Sequence, residues 1–175
     1  MALEIHWNRS ALFEKTSLPS VATMHPTTTD LHGHGYGAIE DLPSHLPLTP
    51  IHDQTGDTPN WRITPSGWVT RYGDVDELVA VKDNRLALIA AGDELTLGFA
   101  ATKLPTQRPH TARQFFLFTS GWDKDADFHV AHGWTVEPLP WHGMDPQRYG
   151  REPRPKLDDA WIKKYNTRWI GPRPL

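Results

Sequence analysis

Sixteen prolines and thirteen glycines punctuate the 175 residues, and this limits how long any regular element can run before the backbone must turn. A chain so interrupted, with 38% hydrophobic residues, suits short strands joined by long irregular connections better than long helices. Its length supports one ordinary domain with a real core and leaves little for a second.

Charge and composition remove several function classes. The formal net charge is -3 and the pI is about 6.3, so the basic footprint that grips a phosphate backbone is missing and nucleic acid is not an expected partner. Cysteine is absent, which excludes disulfides, thiolate metal sites, thioether-linked haem and cysteine nucleophiles. No apolar run approaches the roughly 18 residues of a membrane span. The N-terminal "MALEIHWNRSALFEK" carries charge where a signal peptide would be apolar.

Residues 1–60 lack sustained periodicity beyond the short alternation Leu3, Ile5, Trp7. Apolar residues such as Leu18, Val21, Leu31, Ile39, Leu42, Leu46 and Leu48 recur along this stretch. The expectation is an extended arm lying on a surface, that of another subunit included.

Residues 61–155 read as a β-rich core. "WRITPSGWVTRYG" is two extended pieces about a turn, and "DVDELVAVKD" is a turn or two of helix with Asp74 as cap and Glu77 as the far half of a capping box. "RLALIAAGDELTLGFA" reads as a hairpin that turns at "AGD", with Leu95, Leu97 and Phe99 on one face. "RQFFLFTSGW" is apolar on both faces, as a central strand over Gln114–Thr119 would be. Residues 156–175 hold a helix, "LDDAWIKKYNTRW", whose Leu157, Trp161, Tyr165 and Trp169 fall four apart and form an apolar stripe suited to docking. The expected fold is therefore mainly β, a sandwich or partly open barrel with a C-terminal helix and a long irregular N-terminal arm.

The candidate sites are few. Asp123, Asp125 and Asp127 have the spacing of the first calcium ligands, but Phe128 stands at the sixth position and Trp134 at the twelfth, where such a loop needs glycine and a bidentate glutamate. A hydrated or salt-bridged turn outweighs that reading. With His142, or with the pair His32 and His34, the aspartates make the alternative of a calcium or zinc site with a hydrolytic role; otherwise no cofactor is expected. Ser66 and Ser120 lack the frame of a nucleophile elbow. Eight tryptophans are many for this length. Trp61, Trp68, Trp122, Trp134 and Trp141 either plug the ends of a small β core, the favoured reading, or gather on loops to stack on sugar rings.

The run from "WRITPSGWVTRYGDVDEL" through "GDELTLGF", "GWDKDAD" and "EPLPWHGM" to "KYNTRW" resembles the uncharacterised C-terminal module of bacterial proteins bearing FG-GAP-type propeller and ASPIC/UnbV regions, some with tetratricopeptide repeats. The resemblance spans Leu31 to Leu175 and carries over no catalytic residue. It implies protein partners and a periplasmic or extracellular, envelope-associated setting, with a cytoplasmic one if no leader was removed. Because the module begins so near the start of the chain, a stand-alone copy serving as accessory subunit is expected. The function expected is non-enzymatic: a binding or scaffolding module that docks on a larger protein assembly through the arm and through Leu157, Trp161, Tyr165 and Trp169. A carbohydrate-binding module is the second alternative.

Overall fold

The computed structural model describes residues 21–40, 50–57, 64–124, 132–141 and 159–172. These form a β-rich fold of three small, open, two-stranded antiparallel sheets with two short α-helices and one 3-10 turn at Ala101–Lys103. The strands are β1 (Thr28–Gly33), β2 (Tyr36–Ile39), β3 (Pro50–Gly56), β4 (Gly67–Val69), β5 (Asp93–Gly98) and β6 (Arg168–Ile170). Helix α1 covers Asp76–Val79 and α2 covers Asp159–Tyr165. The pairs are β1 with β5, β2 with β3, and β4 with β6. Among the described residues no sheet closes into a barrel.

The first third of the chain supplies the centre of the core. β1 alternates, with Thr29 and Leu31 inward and Thr28 and Asp30 outward. Leu31 sits opposite Leu95 of β5, while on its other side it exchanges backbone hydrogen bonds with Gly73 at 2.9 and 2.8 Å. It is fully buried with Val75, Leu78, Trp161 and Tyr165. Of the other arm residues, Val21 is exposed, and Leu3, Ile5, Trp7, Leu18, Leu42, Leu46 and Leu48 lie outside the described residues.

Two sequence expectations change here. The turn at "AGD" forms as read: Gly92 takes a positive φ of 85°, the Asp93 amide donates to the Ala90 carbonyl at 3.0 Å, and the Asp93 carboxylate accepts from the Ala90 amide at 2.7 Å. Its incoming limb, however, does not pair with β5. Leu88 bonds Thr70 instead, its amide donating to the hydroxyl at 2.8 Å and its carbonyl accepting from the amide at 3.2 Å, so β5 is left to β1. Gln114–Thr119 is not a central strand; it forms no regular element, and Phe115 to Phe118 are exposed.

The C-terminal helix stops at Tyr165, where Asn166 and Thr167 are poor helix formers, and Trp169 passes into β6. Trp161 and Tyr165 are buried in this chain's own core, which corrects the reading of the stripe as a docking face. Leu157 lies outside the described residues. At α1 the capping position falls on Val75, which has no side-chain cap, rather than on Asp74 as read; Asp74 lies one residue earlier, its carboxylate accepting from the Asp76 amide at 2.8 Å. Glu77 does not turn back as a capping box would but meets Lys164 of α2 at 2.8 Å.

A second, smaller core holds Val69, Val136 and Leu139, with Leu88 and Ile170 packed against it. Gly67 permits this approach, because a Cβ there would stand 2.6 Å from the Cβ of Val136. No helix among the described residues is long and apolar enough to cross a membrane.

Candidate interaction surface

β4 is only three residues long, and its alternation separates two surfaces. Gly67 and Val69 turn inward, so Trp68 must turn outward, where it is 48% exposed. The register sets Trp68 directly opposite Trp169 of β6. Their rings meet edge to face, with centroids 5.3 Å apart and planes at 82°. The Trp169 indole N–H donates to the Gly171 carbonyl at 3.0 Å, which fixes the ring's orientation. Gly171 has a positive φ of 74° and runs close to Ser66, whose Cα would lie 2.9 Å from any Cβ placed there.

Trp134 is tied to the edge of the same sheet. The Ser66 amide donates to the Trp134 carbonyl at 2.9 Å and the Val136 amide to the Ser66 carbonyl at 3.0 Å, a short parallel bridge ahead of β4. Its side chain is about as exposed as that of Trp68.

A polar knot holds β6 in place. Arg168 forms an ion pair with Asp93, donates from Nε to the Thr70 carbonyl at 3.1 Å, and lies over the Tyr72 ring at 4.2 Å. The Tyr72 hydroxyl donates to the second Asp93 oxygen at 2.9 Å. Asp93 is only 3% exposed and both its oxygens are engaged, so it serves as a structural acceptor. Burial, then the hydrogen bond to Asp93 and the carboxylate's charge, push the Tyr72 phenol above its ordinary range, while Arg168 pulls the other way.

Of the sequence-predicted metal residues Asp123, Asp125, Asp127 and His142, only the first is among the described residues, where it is exposed; the other three lie outside them. His32 and His34 straddle Glu94, with His34 Nδ1 at 3.1 Å from one oxygen and His32 Nε2 at 3.6 Å from the other; Asp30 lies 3.2 Å from His32 Nδ1. Among the described residues no group of three or more histidine, aspartate or glutamate side chains is placed to hold a metal ion.

Of the tryptophans read as sugar-stacking candidates, Trp61 lies outside the described residues, Trp141 is half-buried, and Trp122 and Trp134 are exposed. Sequence reasoning put Trp68 and Trp169 in different groups and missed their pairing, which only the register of β4 on β6 reveals. It also missed Arg168 and Tyr72, which no local pattern marks.

Compared with known proteins, the chain matches no family model, no curated protein and no solved structure.

Proposed function

We propose that the chain is a non-enzymatic binding module, an accessory subunit that docks on a larger protein assembly through the outward face of β4 and β6. The observation that carries this reading is the Trp68/Trp169 pair, two large aromatic side chains held in one orientation on an outer surface. Tryptophan is enriched among the few residues that dominate protein interfaces, and a ring pinned by its own hydrogen bond loses little entropy on binding. The mutual angle of 82° favours a protein over a glycan, because two rings at right angles offer no common platform for a flat sugar face. The resemblance to modules of bacterial propeller and repeat proteins supports the same class of partner and an envelope-associated setting. In this reading the small sheets form parts of a sandwich or partly open barrel.

Native mass spectrometry of the protein taken gently from its own cells tests the proposal. The expected result is a mass equal to this chain plus another subunit, lost in the double variant Trp68→Ala, Trp169→Ala while the circular dichroism stays unchanged. An identical complex from that variant removes the surface from consideration. A lone chain whose tryptophan fluorescence responds to a glycan panel replaces the proposal with the carbohydrate-binding reading.

A further inference from the structure

On the opposite side of β4, where Val69 points, the two cores open onto one broad concavity. Its apolar walls include Leu95, Leu97 and Phe99 from one side and Leu88, Val136 and Leu139 from the other. The segment Gln114–Thr119 stands on the rim of the same concavity, and its side chains Phe115, Phe116, Leu117 and Phe118 are 74, 88, 69 and 78% exposed. Four consecutive large apolar residues in water are an unfavourable arrangement, and a patch of this kind marks a surface that becomes covered.

We infer that Gln114–Thr119 is a strap that folds into this concavity and joins the two cores into one. Three observations specify the chain's own segment as the occupant. First, the run is apolar at alternate positions on both sides, and a segment seated between two apolar walls buries both faces, as a one-sided surface strand would not. Second, the concavity is lined both by Leu95, which packs on the first core, and by Leu88 and Leu139 of the second, so a segment of this chain seated there touches both cores at once. Third, the strap is tethered at the right place. Lys124, a few residues downstream, donates to the carbonyls of Val136 at 3.0 Å and Pro138 at 3.4 Å, which holds that end beside the second core. Upstream, the polar stretch from Thr106 to Arg113 is exposed and long enough to let the chain reverse.

The strap acts on the side of β4 away from Trp68, so the inference does not depend on the proposed docking function and each fails separately.

Hydrogen exchange of the full chain tests it. The amides of Phe115 to Phe118 should exchange about 100-fold more slowly than an unstructured peptide, and Leu97→Asp should abolish that protection while β4 and β6 keep theirs. Should Leu97→Asp unfold the chain, thiol labelling decides the matter, since the chain has no cysteine of its own. Leu117→Cys should then react at least about tenfold more slowly than Gln54→Cys, placed at an exposed position of β3 away from the concavity. Exchange at the unstructured rate, or equal reactivity of the two thiols, overturns the inference. Protection that vanishes on dilution, together with a dimer mass, overturns it as well, because the occupant is then the strap of a second copy.

Discussion

At the scale of single residues, Asp93 has the largest structural consequence. It closes the turn into β5, accepts from Tyr72 and pairs with Arg168, so it joins β5, the segment after β4 and β6. Asp93→Ala would leave the partly buried Arg168 guanidinium and the Ala90 amide without their acceptor, while the hydroxyl of the exposed Tyr72 would turn to water. Breaking such a pair from one side costs about 3 kcal/mol, which urea denaturation should show as a lower midpoint at unchanged slope. Tyr72 gives the same knot an alkaline limit. Its folded-state pKa lies above the ordinary 10.0, so the folded state favours the neutral phenol. That contribution is complete below about pH 10 and is lost as the pH rises through the folded value. Melting temperatures at pH 9, 10 and 11 should therefore fall more steeply for the wild type than for Tyr72→Phe. The Glu77–Lys164 pair is another matter. Each partner shifts the other in the expected direction, carboxyl down and amine up, but both are solvated, and Glu77→Gln should leave the melting curve unchanged in high salt.

At the scale of elements, β1 decides whether the larger core exists. Leu31 touches the centre of that core from a strand whose flanks are polar, so Leu31→Ala should cost about 3 kcal/mol and raise hydrogen exchange along both β1 and β5. The sequence made β1 hard to see. "TTDLHG" contains one strongly apolar residue, and an alternation that short is lost among prolines and threonines. The turn at Gly92 was legible because the conformation demands glycine and the aspartate's local hydrogen bond leaves a signature. The partner of β5 was not, since hairpin pairing and long-range pairing share the same pattern within the strand. The stripe of Trp161, Tyr165 and Trp169 shows the same limit. A four-residue spacing signals a helix face, yet Trp169 serves a strand, because Asn166 and Thr167 end the helix one turn too early for it to stay on that face. Nothing in the spacing could tell an apolar stripe meant for a partner from one meant for Leu31.

At the scale of the whole molecule, the ties that hold these sheets together span most of the sequence. Arg168 reaches Thr70 across 98 positions, Lys164 reaches Glu77 across 87, and the ion pair with Asp93 spans 75. Contacts of such separation must be closed before they are rewarded, so refolding from denaturant should be slow, on the scale of milliseconds to seconds, which stopped-flow fluorescence of the tryptophans can follow. The same long ties set a timetable during synthesis. β1 leaves the ribosome long before the two aromatic side chains that cover Leu31, which belong to α2. Until they do, the nascent chain carries an incomplete core, and any pause, cleavage or early stop before Trp161 leaves a polypeptide that quality control can recognise by its uncovered first strand.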